Sequence, residues 1–180
     1  MEAAAREATE ATRLFARKKI VAGLNEITTL KAAYIGKAVK SKRTAAFGNG
    51  IQAEIRVATG RIPLSRYAVN PERPPQLKGV PAAARKRTRY RLRQNGPLKG
   101  DRPYEDSKEY SSLFVQGTSS GHIGVFYREK GSGSIIQEYA PSIQYHMYAD
   151  GFVEQVTELS HEHFVTRFRD AALLIRGVRS

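Results

Sequence analysis

Residues 120–143 read "SGHIGVFYREKGSGSIIQEYAPSI". The run "HIGVFYRE" is rich in β-branched and aromatic residues and bounded by turn formers, so it predicts a strand. "SSLFVQG" just before it predicts another, and the intervening "TSSG" makes the pair a hairpin. "KGSGS" reads as a flexible loop. It lacks the Gly-Lys-Ser/Thr ending of a phosphate loop and does not open a helix after a strand. Ala140-Pro141-Ser142 then turns the chain. After Asp150-Gly151 a last helix runs to about Arg176, with Phe164, Phe168, Ala171 and Ile175 as its inward stripe and Gly177 as its C-terminal cap.

Upstream, residues 3 to about 45 follow a helical pattern. Leu14, Ile20, Leu24, Ile27, Leu30, Tyr34 and Ala38 recur mostly three or four apart, which predicts one amphipathic helix or two. Gly23 and Gly36 each cost about 1 kcal/mol against alanine inside a helix, so a bend or break is expected near Gly23. "FGNG" at 47–50 stops the pattern. "IQAEIRVA" at 51–58 alternates Ile51, Ala53, Ile55 and Val57 against polar residues, a strand with one buried face. A turn at Gly60 and a short extended piece follow, and Pro63 argues against a central strand position. Pro71, Pro74, Pro75 and Pro81 mark residues 70–82 as an extended surface arm.

"RKRTRYRLR" then places Arg85, Arg87, Arg89, Arg91 and Arg93 on one face of a strand, with Lys86, Thr88, Tyr90 and Leu92 on the other. Asn95-Gly96 closes it with a turn signal. The order of helix, strands and helix predicts an α+β fold: a long N-terminal helical segment, a mostly antiparallel β-sheet with a hairpin, and a C-terminal helix packed on the sheet. A chain of 180 residues, 41% hydrophobic, is expected to form one domain over 1–180.

Composition narrows the function classes. Thirty basic against 17 acidic residues give a net charge of +13 and call for an anionic neighbour, nucleic acid or a large acidic protein surface. The charge is polarised along the chain: residues 78–102 are strongly basic, whereas Glu138, Asp150, Glu154, Glu158, Glu162 and Asp170 make the C-terminal part acidic. With no cysteine, disulfides, thiol nucleophiles and thiolate metal sites are excluded. No apolar run of about 18 residues is present, so the chain is expected to be soluble, made in a cytoplasm, and to have no membrane partner.

The ordered motifs "GLNEITTLKAAYIGKAV", "RIPLSRYAV", a basic strand, "LFVQ", "SGHIGVFYR" and "APSI" before a closing helix resemble the prophage minor tail protein Z family, the tail completion proteins of long-tailed phages. The resemblance covers nearly the whole chain. Its best block maps the family hairpin arm onto Gly121, Gly124, Val125, Phe126 and Arg128, and the family turn onto Pro141, Ser142 and Ile143. The family turn generally begins with glycine where this chain has Ala140, and the segment before it, "SIIQEY", lacks the usual proline.

The resemblance implies a structural virion protein rather than an enzyme. Such proteins form a ring homo-oligomer, expected as a hexamer, at the head-proximal end of the tail. There they join tail to head in the tail and neck region, after assembly in the cytoplasm of the bacterial host. The implied partners are copies of the chain itself, a tail terminator or tail tube protein, and a neck or head-completion stopper protein. A tape measure protein or genomic DNA fills the channel. No cofactor is implied.

Each feature also has a plainer reading. The arginine row faces DNA phosphates, an acidic surface on a neighbouring protomer (the acidic C-terminal helix could supply it), or solvent as a charged edge strand. A sequence-independent nucleic-acid-binding protein is the alternative function, and a hydrolase or nuclease would need a carboxylate cluster in a cleft. "HEH" at 161–163 is not a metal motif, because residues two apart point to different sides of a helix. His122 and His146 read as ordinary surface or capping residues. Gly124 reads as room for close approach, Phe126 as a core or interface anchor, and Pro141-Ser142 as the device that sets how the last helix leaves the sheet.

Overall fold

The computed structural model describes residues 1–47, 50–76, 87–96, 113–129, 131–175 and 177. Helices α1 (Glu2–Ile27) and α2 (Ala32–Ala38) come first, then strands β1 (Val39–Phe47) and β2 (Gly50–Val57). Short strands β3 (Ile62–Pro63), β4 (Ala68–Asn70) and β5 (Arg89–Arg91) follow. Strands β6 (Phe114–Gly117), β7 (Ile123–Arg128), β8 (Ile135–Gln137) and β9 (Tyr139–Ala140) lead into α3 (Ile143–Tyr148) and α4 (Phe152–Ile175). The α+β class predicted from the sequence is what forms, with a long N-terminal helix, antiparallel hairpins and a C-terminal helix. The described strands divide among four small antiparallel ladders, β1-β2, β3-β9, β4-β5 and β6-β7-β8, rather than one sheet. Most are two to four residues long, too short to present two pairing edges along a common length.

Two compact units emerge: residues 1–24, 35–59 and 143–180 in one, residues 25–34 and 60–142 in the other. In the first, α1 buries Ala4, Ala8, Ala16, Ile20 and Leu24. These lie at multiples of four, a ridge inclined to the helix axis, and the alanines let neighbours approach closely. Leu14, assigned to the inward stripe by its spacing, is instead 54% exposed. Helix α4 meets α1 through aromatic contacts: the His163 ring stacks on Phe15 with centroids 4.3 Å apart, and its Nδ1 lies 3.1 Å from the Thr12 hydroxyl. Burial, and then nearby Arg167, lowers the His163 pKa and favours the neutral ring.

Gly23 does not break α1. The Phe152 ring lies where a Cβ at Gly23 would sit, so the glycine serves packing, not bending. The break falls at 28–31, where Thr28 and Thr29 take strand-like partners.

Residues 39–45 correct the sequence reading, which extends the helical pattern to about Ala45. They belong to β1, which pairs with β2 from Val39↔Val57 to Phe47↔Gly50. A helical spacing of apolar residues ends at Ala38, and "GN" between two runs is a hairpin signal that outweighs it once β2 offers a half-buried partner face. Side chains from α1 hold this hairpin. Arg17 donates to the carbonyls of Gly36 and Val39, both at 3.2 Å, satisfying groups left open where α2 ends. Buried Arg13 pairs with Glu10 and reaches Ser41, while Glu10 accepts the Thr44 hydroxyl at 2.6 Å.

In the second unit the segment after α1 runs beside residues 92–94. The Thr29 N–H donates to the Leu92 carbonyl at 3.0 Å, and the Gln94 N–H to that of Ile27 at 3.2 Å. The predicted hairpin forms as β6 and β7, in register Phe114↔Phe126 and Val115↔Val125, and β8 adds a third strand that the sequence reading left as loop and turn. Val115 and Val125 are buried on one face. At the chain's end Gly177, with φ 71°, places its N–H 3.2 Å from the Leu174 carbonyl, a left-handed helix cap. Ala171 of the predicted α4 stripe is buried, whereas Ile175 is 55% exposed.

This packing is tested in two ways, at two glycines and at one carboxylate. A Cβ at Gly36 meets nothing within 4 Å, so Gly36→Ala should stabilise the protein by about 0.5–1 kcal/mol in denaturant unfolding. Gly23→Val should cost about 1–3 kcal/mol, because displacing the Phe152 ring outweighs any helix gain. The second concerns acid. Hydrogen bonds from Arg13 and then Thr44 lower the Glu10 pKa from 4.5 to about 2. The folded value lies below the unfolded one, so the stabilisation is complete above pH 4.5 and fades as the pH falls towards 2. Glu10→Gln should therefore be less stable than wild type at pH 7, with the gap closing between pH 4.5 and 2; a pH-independent gap would contradict this.

Candidate anion-binding face

Strands β4 and β5 pair as Ala68↔Arg91, Val69↔Tyr90 and Asn70↔Arg89. Opposed residues share a face, so the ladder has an inner side of Val69 and Tyr90 and an outer side of Ala68, Asn70, Arg89 and Arg91. Tyr90 is 1% exposed, and Thr88 before it is buried too. The alternation read from "RTRYR" thus separates apolar from charged residues here.

The basic strand is shorter than predicted. Regular pairing spans only Arg89–Arg91. Arg87 is exposed ahead of it, and Arg93 forms an isolated antiparallel bridge with Thr28. A turn closes behind, where the Gly96 N–H donates to the Arg93 carbonyl at 3.1 Å. Arg85, the arm beyond Gln76 and the basic residues from 97 to 102 lie outside the described residues. Of the five arginines, the ladder brings together Arg89 and Arg91.

Because Ala68 is small, the outer face is hollow opposite Arg91. A shallow groove of about 310 Å³ opens there, edged by Arg89, Arg91, Asn70, Gln94 and Thr29. Among the described residues no carboxylate lines it. Arg89 is exposed and forms no ion pair among the described residues. Arg91 is half-buried: its Nη1 is 3.5 Å from the Gln94 carbonyl, and its Nε is closed off from solvent with no hydrogen-bond acceptor among the described residues.

Thr29 frames the site. Its hydroxyl donates to the Arg91 carbonyl and accepts the Ala68 N–H at 3.2 Å, tying both strands to the end of α1. Gln94 is held by its side-chain amide, which donates to the Thr28 carbonyl at 3.0 Å. Sequence reasoning missed Thr29, Asn70 and Gln94. Asn70 could have been found as the polar partner of an alternating strand; nothing local marks Thr29, which reaches the site through non-local pairing.

The hairpin residues belong to the β6-β7-β8 sheet instead. A Cβ at Gly124 would lie 2.7 Å from the Phe126 ring, which stacks on Phe114 with centroids 6.2 Å apart. The Arg128 guanidinium lies 5.7 Å from the Phe114 ring centre. Gly124, Phe126 and Arg128 thus form one packed row. Gly121, with φ 78°, makes the turn, its N–H donating to the Thr118 carbonyl at 2.9 Å. The Pro141 carbonyl accepts the hydroxyl of buried Tyr67 at 3.0 Å, Ser142 follows it, and Ile143 is fully buried at the start of α3.

Helix α4 carries the acidic side chains. Glu154, Glu158, Glu162 and Asp170 are all exposed and sit on one four-spaced ridge, with no ion pair among the described residues. His161 is exposed while His163 packs on Phe15. Among the described residues no group of three His, Asp or Glu side chains could hold a metal ion, and no helix is long and apolar enough to cross a membrane. No family model, curated protein or solved structure matches the chain.

Removing the Thr29 hydroxyl tests how this face is built. Thr29→Val keeps the shape but leaves the Ala68 N–H and Arg91 carbonyl without it, and should cost about 1 kcal/mol in urea unfolding. An unchanged midpoint and slope would mean that the hydroxyl does not hold the ladder.

Proposed function

We propose that this chain is a structural protein of a phage tail: a tail completion protein that forms a ring at the head-proximal end and joins tail to head. One observation carries the reading, the ordered series of motifs from "GLNEITTLKAAYIGKAV" through "SGHIGVFYR" to "APSI". Two further features support it. The motif residues Gly124, Phe126, Arg128, Pro141 and Ile143 all take structural positions, in a packed row or a fixed turn, as expected of a protein whose work is assembly. The arginines exposed on β5 also give the chain a cationic face of the kind a channel that passes DNA would present.

In this reading the partners are further copies of the chain in a hexameric ring, a tail terminator or tube protein below and a neck stopper protein above. A tape measure protein or genomic DNA passes through the channel. The activity is binding, without catalysis or a cofactor.

The test is the mass of the purified chain in solution, alone and after mixing with isolated tail tubes that lack it. A fixed small number of copies bound per tube, at one end, is the expected result. A chain that stays free in the presence of tubes would overturn the reading.

A further inference from the structure

We infer that the outer face of β4-β5 binds the phosphate backbone of duplex nucleic acid, without reading its sequence. Charge sets the class of ligand. If every one of the 17 acidic residues were paired with a basic one, 13 of the 30 basic residues would still need an anion from outside the chain. A polyanion supplies that, and the face of Arg89 and Arg91 is built to receive it. Among the described residues its groove is lined by two arginines and no carboxylate.

Spacing and chemistry define the contact further. Arg89 and Arg91 are two residues apart on a strand, roughly 6.6–6.8 Å along it, so they engage successive anionic groups rather than chelating one. A guanidinium fork matches phosphate oxygens, and the amides of Asn70 and Gln94 at the groove edge add neutral donors of the kind that reach phosphate and sugar. Among the described residues the face is a short ladder over a shallow groove, with no helix or ribbon projecting to reach base edges, so the contact is blind to sequence. Tyr90, the aromatic of this strand, is buried beneath it at 1% exposure and cannot stack on an unpaired base. That favours a duplex over a single strand.

The inference does not depend on the tail reading: a protein that ignores tail tubes can still bind DNA here, and the reverse. The test is fluorescence anisotropy of the full chain with two short DNA duplexes of unrelated sequence, titrated between roughly 50 and 200 mM salt. Both duplexes should bind equally. Arg89→Gln and Arg91→Gln should each flatten the dependence of log affinity on log salt by about 0.9, the loss of one phosphate contact. Arg169→Gln, an exposed arginine on α4, should leave it unchanged. Arg89 is exposed, so its variant is informative even if that of half-buried Arg91 unfolds. No binding at the lowest salt, an Arg89→Gln slope equal to wild type, a preference for one duplex, tighter binding of single strands, or tighter binding of a poly-glutamate peptide would each overturn the proposal.

Discussion

The surplus of positive charge is the constraint on which this molecule turns. Thirty basic and 17 acidic residues cannot neutralise one another within a chain, and like charges on a small surface repel. Where the fold spends its carboxylates is therefore informative. Glu10 is committed to Arg13 and Thr44, holding β1 against α1, and Glu54 pairs with Arg56 and Lys42 on the hairpin surface. The ridge on α4 is left facing outward, and so is Arg89. Both signs are thus presented to the surroundings, with cations in excess.

Local architecture converts that surplus into a defined face. A two-residue period puts Thr88 and Tyr90 into the core and the arginines outside, so burying one tyrosine orients two guanidinium groups. Pairing with β4 adds a small residue opposite Arg91 and a polar one opposite Arg89, which makes a groove of what would otherwise be a flat edge. Thr29 then locks both strands to the segment after α1. The sheet of β6, β7 and β8 uses its conspicuous residues differently, with glycine, phenylalanine and arginine packing on one another, so motif status and surface function need not coincide.

What was legible in the sequence is what local periodicity controls. The β6-β7 hairpin, the alternating β2, the long α4 and its glycine cap, and the inside-outside sorting around Tyr90 all follow from patterns within a dozen residues. The failures have a common cause in partners distant along the chain. Residues 39–45 carry a mixed pattern of lysine, serine and alanine, and only β2 together with Arg17, Glu10 and Arg13 selects the strand. The alanine ridge of α1 escapes a search for large apolar residues, and Leu14 and Ile175 fit a helical stripe yet find no cover among the described residues. Thr29 joins the groove only through long-range pairing, so no spacing rule could place it there.

We propose that the chain closes into a ring whose arginine face is neutralised from outside. An electron-microscopic reconstruction of tail tubes carrying the added protein tests it most directly. A closed ring at one end of the tube, with Arg89 and Arg91 lining the channel through which a polyanion passes, is the expected result. Tube ends without a ring, or a ring that turns Arg89 and Arg91 outward to bare solvent, would contradict it.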